Sequence, residues 1–240
     1  MFLRFIAIFY LCTLFSMSSN ASEHVILLHG LCRGPRSMKT MERKLTDAGY
    51  QVLNLAYPSR SGSVKQLSDE YIGKAVEQCK KQNSTSIHFV THSMGGILIR
   101  AYLKSHKVAQ LGKVVMLAPP NQGSEVVDRL GHLRLFQYIH GPAGGELGTG
   151  KNSTPSLLGE VNFPLGVIAG NCSINWINSL MIKGTDDGKV SIQHTKVQGM
   201  ADHIVVKSNH PFIMNNKTVG LQTVAFLRDG HFLRSAKTSE

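Results

Sequence analysis

The stretch that most constrains this chain is Ile87-His88-Phe89-Val90-Thr91-His92-Ser93-Met94-Gly95-Gly96-Ile97-Leu98-Ile99-Arg100. A branched apolar run with strand character passes, across a short polar knot, into a run with helical character. A serine at such a junction sits on a sharp turn with its Oγ thrust outward. The helix behind it aims its N-terminus at whatever the hydroxyl meets. Gly95 belongs there because a side chain would crowd the turn against neighbouring backbone. The pattern is G-x-S-x-G with Thr91 in the place of the first glycine. By itself it decides little, so its partners have to come from elsewhere in the chain.

The flanking sequence supplies a frame for it. Residues 24–28 are a branched apolar run closed by His29-Gly30, which reads as a buried strand. Residues 31–35 are a loop. Residues 37–48 have helical spacing at Met38, Met41 and Leu45 and stop at Gly49. Residues 50–55 predict a strand, 64–81 a helix, 87–90 a strand, 94–104 a helix, and 113–118 a strand ended by Pro119-Pro120. Strands over 164–170 and 203–207 and a helix over 216–228 complete the chain. Such alternation predicts an α/β fold with a mostly parallel sheet of about six strands and helices on both faces. Ligands bind such sheets beyond the carboxyl ends of the strands, where His29-Gly30, Ser93 and Pro119-Pro120 all fall.

The alternation lapses between residues 121 and 161. Glycine and polar residues are frequent there, around one amphipathic piece over 126–139. An irregular insertion of this length suits a lid or binding loop. Its apolar residues (Val126, Val127, Leu130, Leu133, Leu135, Phe136 and Ile139) either line an acyl pocket or simply cover the sheet.

At the N-terminus, Arg4 precedes an apolar core over 5–15 and a small-residue exit over 16–22. This is the pattern of a secretory signal peptide, residues 1–21, cleaved after Ala21. It predicts an exported protein, periplasmic or secreted, with a single domain over 22–240. The apolar core is short for a membrane span; a retained anchor helix is the alternative. Tyr10-Leu11 before Cys12 argues against a lipid attachment site. The full chain carries a formal charge of +11, and losing Arg4 with the leader lowers it by one. A basic balance of that size permits peripheral contact with an anionic membrane surface, or reflects scattered lysines alone. No long basic run and no aromatic-interleaved basic motif is present, so nucleic acid is not an expected partner, and no protein partner is predicted. Cys32, Cys79 and Cys172 would remain, an odd number without C-x-x-C spacing, so at most one disulfide can form and a metal site is not expected. Cys32 is read as a small buried apolar residue.

Acyl transfer by a serine needs a base for the hydroxyl proton, an acid to orient the base, and N–H donors for the oxyanion. Ser93, Asp187 and His210 occur in that order, each just after a strand. With Val25-Ile26-Leu27-Leu28-His29-Gly30-Leu31, Thr91-His92-Ser93-Met94-Gly95-Gly96, Pro120-Asn121-Gln122-Gly123-Ser124, Asp187-Gly188-Lys189-Val190 and Asn209-His210, the chain resembles the lipase and esterase branch of the α/β-hydrolase superfamily. The similarity runs through nearly all of the mature chain. It implies the α/β-hydrolase fold in a minimal form, with the insertion over 121–161 as a lid.

Carried over residue by residue, the resemblance implies Ser93 as nucleophile, Asp187 as acid and His210 as base. The backbone N–H groups of Leu31 and Met94 would form the oxyanion hole. Asp186 competes with Asp187 but can instead cap the turn. His203, at the start of a strand, and His194, amid polar residues, compete with His210. His92 is too close to Ser93 to act as its base and is read as shaping the pocket, and His29 as a structural hydrogen-bonder below the oxyanion loop. Asp202 is the only acid near His210, so neither metal nor cofactor is expected. The expected activity is hydrolysis of a small-molecule or lipid ester by a lipase or carboxylesterase. A thioesterase, amidase or acyltransferase using the same residues is the alternative, and a non-catalytic binding protein a remote one.

Overall fold

The apolar runs become strands because both of their faces are covered. In β1 (Glu23–Leu28), Val25 and Leu27 pack into one core and Ile26 and Leu28 into the other, all four fully buried. The computed structural model describes residues 22–234; the expected leader over 1–21 lies outside them. After β1, a 3-10 turn at Pro35–Met38 leads into α1 (Lys39–Asp47) and β2 (Gln51–Leu55). Next come α2 (Val64–Leu67), a π-helical turn at Ser68–Ile72 and α3 (Gly73–Lys81). The single helix expected over 64–81 is therefore continuous but carries an extra residue in its middle turn. A capping box starts it: Ser63 Oγ accepts from Gln66 N–H, and the Gln66 side chain accepts from Ser63 N–H.

The chain goes on through β3 (Ser86–His92), α4 (Met94–Ser105) and β4 (Leu111–Leu117). Then follow α5 (Glu125–Leu130), α6 (Arg134–Gly145) and α7 (Thr154–Leu158), then β5 (Leu165–Gly170). Two short helices, α8 (Trp176–Ser179) and α9 (Ile192–Thr195), precede β6 (Asp202–Val206) and α10 (Lys217–Asp229). All six strands are parallel, in the order β2-β1-β3-β4-β5-β6. Helices α1 and α10 cover one face, with Met41, Leu45, Val219 and Phe226 in that core. Helices α2 to α4 cover the other, with Val64, Ile72, Val76, Ile97 and Leu98. The strand order reverses at β1 and β3, so the crevice of this sheet opens where those two strands end, at Gly30 and Ser93.

The region over 121–161 is not irregular. It holds three helices, and the amphipathic piece expected over 126–139 is broken between Leu130 and Arg134. Helix α6 also runs past the expected end, kinked at Gly141-Pro142. The segment is fixed to the scaffold by Arg100, buried on α4. Its guanidinium donates to Asn121 O (2.9 Å), Asn121 Oδ1 (3.2 Å), Pro155 O (3.3 Å) and Gly159 O (2.5 Å). Burial among carbonyls, without a carboxylate, pulls this guanidinium down to about 10. Among the described residues no helix is long and apolar enough to cross a membrane.

Candidate active site

Ser93 stands between β3 and α4 with φ 52° and ψ −122°, a conformation that a side chain rarely adopts. Backbone on either side over-determines it: Ser93 N–H donates to Leu117 O on β4 (2.9 Å), and Gly96 N–H donates to Ser93 O (2.9 Å). The crowding expected at Gly95 is real. A Cβ there would lie 2.8 Å from Leu28 O and 2.9 Å from Leu28 Cβ. Thr91, in the place of the motif's first glycine, is an ordinary residue of β3 paired with Leu28 and Met116, so the position asks for no glycine.

The acidic turn after β5 brings its two aspartates to different tasks. Asp186 Oδ1 accepts from Gly188 N–H (2.7 Å) and from Ser179 Oγ (2.8 Å), which closes the turn. Gly188, at φ 97°, lets the chain reverse there. Asp187 is fully buried. Its Oδ1 accepts from the N–H groups of Lys189 (3.0 Å) and Val190 (2.9 Å), and its Oδ2 accepts from His210 Nδ1–H (2.8 Å). Ser93 Oγ–H donates to His210 Nε2 (2.9 Å). Backbone fixes the same pair, since His210 N–H donates to Asp187 O (2.9 Å). Ser93, His210 and Asp187 thus lie on one continuous hydrogen-bonded line, although 117 residues separate the first two in the chain.

The competing residues sit elsewhere. His203, early in β6, bonds Thr195 Oγ1 (3.0 Å), and His194 Nδ1 lies 3.1 Å from a Glu125 carboxylate oxygen. Asp202 is engaged by Arg234 and by the N–H of Phe232. His92 donates from Nε2 to His210 O (3.0 Å) and so holds the loop that carries His210. Burial, then the neighbouring His210, keeps His92 well below the usual imidazole range and neutral. His29 bonds Gly30 O through Nδ1 (2.9 Å) and stacks on Tyr57, whose hydroxyl donates to His29 O; burial lowers this imidazole also.

Leu31 lies just past the end of β1, and Met94 is the first residue of α4. Among the described residues neither backbone N–H has a hydrogen-bond partner, and both residues lie at the strand ends that form the crevice. Leu31 and Ser93 open into a cavity of about 510 Å³. Its apolar wall is built by Val126, Val127 and Phe136 from the insertion, with Leu147 beyond them. Leu133, Leu135 and Ile139, expected either to line a pocket or to cover the sheet, do neither and are exposed.

Cys32 is a correction. Expected in the core, it is exposed on the cavity wall at φ 57°, with its N–H on Ser59 Oγ (3.1 Å) and its thiol on Ile139 O (3.3 Å). The left-handed turn after Leu31 rotates the side chain away from the sheet. Cys79 is buried, and all three described cysteines are free. Several lining residues gave no sequence signal of their own. Ile174, just before α8, and Trp176, its first residue, line the cavity and are mostly exposed; His140, stacked on Phe136, and Lys189 line it too. The adjacent run of Ile174, Trp176, Ile177 and Leu180, apolar yet belonging to no strand, was the one visible trace of this wall.

The palmitoyl protein thioesterase family model matches residues 24–152, a little over half of the chain. Among solved structures, the chain is similar to the mature form of a lipase from Bacillus licheniformis, at TM-score 0.66 and 18% identity over 86% of this chain and 91% of that one. It is similar to the phospholipase PlaB of Legionella pneumophila, solved with thio-NAD, at TM-score 0.68 and 17% identity over 84% of this chain and 56% of that one. A metagenomic carboxyl esterase gives TM-score 0.61 and 18% identity, covering 80% and 65%. At such identities the likeness establishes the α/β-hydrolase fold alone. A search of the curated proteins finds no match.

Proposed function

Because the chain belongs to the palmitoyl protein thioesterase family, we propose that it is a serine hydrolase that cleaves acyl esters, as a lipase or carboxylesterase, through an acyl-enzyme on Ser93. The observation that carries this reading is the line Ser93 Oγ–His210 Nε2 (2.9 Å) and His210 Nδ1–Asp187 Oδ2 (2.8 Å) at the wall of an apolar cavity. Ser93 Oγ attacks the acyl carbonyl while His210 Nε2 takes its proton. Asp187, accepting from His210 Nδ1–H, holds the tautomer with the proton on Nδ1 and stabilises the imidazolium. The N–H groups of Leu31 and Met94 receive the developing oxyanion, aided by the dipole of α4. His210 then protonates the leaving group, and a water activated by the same imidazole releases the acid. The apolar wall of Val126, Val127 and Phe136 takes the acyl chain.

The family membership favours a second reading, thioester cleavage with the same residues. Both pass through one acyl-enzyme and differ only in the leaving atom. The deciding experiment is fluorophosphonate labelling of the wild type and Ser93→Ala, followed by matched oxygen-ester and thioester series of increasing chain length. Absence of labelling in folded wild-type protein sinks the hydrolase reading. Labelling with thioesters cleaved far faster than esters moves the assignment to thioesterase. Export rests on the leader over residues 1–21, and N-terminal sequencing of the processed protein tests it.

A further inference from the structure

The cavity that holds Ser93 has a second wall, and its chemistry is opposite to the first. Cys32 and Arg33 line the 510 Å³ cavity and also an adjoining depression of about 450 Å³, floored by Pro58, Ser59, Arg60 and Ser61. The two spaces therefore meet along the loop that carries Leu31. Lys189 reaches the same edge from the acidic turn, with its ammonium in electrostatic range of Cys32, Asp187 and Arg33. Cys32 stands where the two spaces meet: Arg33 borders both with it, Arg60 borders the depression and Lys189 the cavity.

None of the three has a carboxylate partner among the described residues. The guanidinium of Arg33 donates only to Pro211 O (3.4 Å), and that of Arg60 to Tyr138 O (3.0 Å). Carboxylates answer some cations elsewhere, as in Arg234–Asp202 and Lys65–Asp69. Asp187 is the one acidic residue on either wall, and its oxygens are taken by Lys189 N–H, Val190 N–H and His210. The nearby acids are spent as well: Glu146 on Val64 N–H and Thr154, Asp128 on Thr149. Burial already costs the Lys189 ammonium, which lies below its ordinary range. Like charges gathered at a partly desolvated edge favour an incoming anion.

We infer that the depression beside the oxyanion loop is a leaving-group subsite for a phosphate, so that the substrate is an acyl ester or thioester whose leaving group bears phosphate a few bonds from the scissile carbonyl. This deepens the proposed hydrolase reading and rests on it. With the acyl chain along Val126, Val127 and Phe136, the leaving group points out past Cys32, towards Arg33, Arg60 and Lys189. Phosphate suits this edge because two guanidinium groups and one ammonium can share its oxygens.

The test uses two matched pairs, each assayed as monomers: octanoyl-glycerol phosphate against octanoylglycerol, and octanoyl-phosphopantetheine against octanoyl-pantetheine. The readout is the ratio of kcat/KM for the phosphorylated over the neutral member, in the wild type, Lys189→Met, Arg33→Gln, Arg60→Gln and Lys189→Arg. In at least one pair the wild-type ratio should exceed one and fall with added salt. It should drop about tenfold in Lys189→Met, as expected for one lost charge-assisted contact, and return in Lys189→Arg. The pair that responds tells whether the phosphate arrives on an alcohol or a thiol. A ratio at or below one in both pairs, or one that Lys189→Met, Arg33→Gln and Arg60→Gln leave unmoved, overturns the inference. Fluorophosphonate labelling of the same preparations separates the two levels: labelling with an unmoved ratio refutes only the phosphate subsite, whereas no labelling refutes the hydrolase reading beneath it.

Discussion

Replacing Asp187 by Asn removes one charge and almost no volume, and the geometry says what should follow. Oδ1 accepts two backbone N–H groups, at 3.0 and 2.9 Å, so the amide oxygen of Asn must occupy that place. An NH₂ there would face two donors. The amide nitrogen is therefore forced into the place of Oδ2, 2.8 Å from His210 Nδ1, where it can only donate. His210 answers by moving its proton to Nε2, which then points at Ser93 Oγ and can no longer accept its proton. A wrong tautomer of this kind costs a serine hydrolase about 10⁴ in kcat, equivalent to about 5.4 kcal/mol of lost transition-state stabilisation. The fold should be untouched, because both turn hydrogen bonds persist and a buried charge disappears; the change in stability should stay within about 1 kcal/mol. Asp186→Asn is the internal control. Asp186 bonds Gly188 N–H and Ser179 Oγ and has no contact with His210, so kcat should change by less than about threefold. The assay is steady-state hydrolysis of a p-nitrophenyl ester, with thermal denaturation of both variants. If Asp187→Asn kept more than about one per cent of wild-type kcat, or Asp186→Asn lost as much as Asp187→Asn, the reasoning would be refuted.

Three further outcomes follow from the geometry. Ser93→Gly should abolish fluorophosphonate labelling yet raise stability by about 1 kcal/mol, because glycine relieves the strain at φ 52°; a loss of stability in urea denaturation would count against that strain. Arg100→Met should cost about 3 kcal/mol by leaving the carbonyls of Asn121, Pro155 and Gly159 without a donor, with Arg100→Lys recovering part of it, as read from urea midpoints. Burial holds His29, His88, His92 and His203 below the usual imidazole range, so the folded chain refuses protons that the unfolded chain accepts below about pH 6.5. Stability should therefore be complete above that pH and fall as pH drops, by up to about 1.4 kcal/mol per pH unit for each such histidine, and His92→Gln should flatten the slope; a profile level from pH 7.5 to 5 would contradict the reading.

The strands were legible because a strand buried on both faces leaves an unbroken branched run, as at Val25-Ile26-Leu27-Leu28. Ser93 and His210 were legible for a related reason, since each follows such a run, at the ends of β3 and β6; Asp187, which lies beyond α8 and not at the end of β5, was legible through the Asp187-Gly188-Lys189-Val190 pattern of the resemblance. The helices of the insertion were hidden by their own breaks. Gly131 ends α5, and Gly141-Pro142 kinks α6, so the sequence shows one amphipathic piece over 126–139 where the structure has two helices with a break between them. The burial of Cys32 was misread because side-chain type says nothing about a left-handed turn. Lys189 was invisible as a wall residue because nothing local distinguishes an inward lysine from a solvated one; its direction is set by the aspartates before it, which wind the turn through Gly188.

These two kinds of legibility divide the molecule. Ser93 and His210 follow the ends of β3 and β6, while Asp187 lies on the turn beyond α8, held by two backbone N–H groups and by His210. The walls that would meet a substrate come from three segments with no strand in them, around Cys32, across α5 and α6, and from Ile174 to Val190. Each is tied down by side-chain hydrogen bonds: Cys32 N–H on Ser59 Oγ, Arg100 on Asn121, Asn178 Nδ2 on Gly188 O, and Ser124 Oγ on Lys189 O. The last of these matters most, because Ser124 begins α5 and Lys189 follows the acid. One hydroxyl therefore couples the apolar wall to the turn that orients His210. A substitution at Ser124 should then reach both the acyl side of the cavity and the base, though it touches neither Ser93 nor His210. In this fold Ser93 and His210 are placed by the sheet, while the cavity walls come from loops whose anchors are single polar atoms.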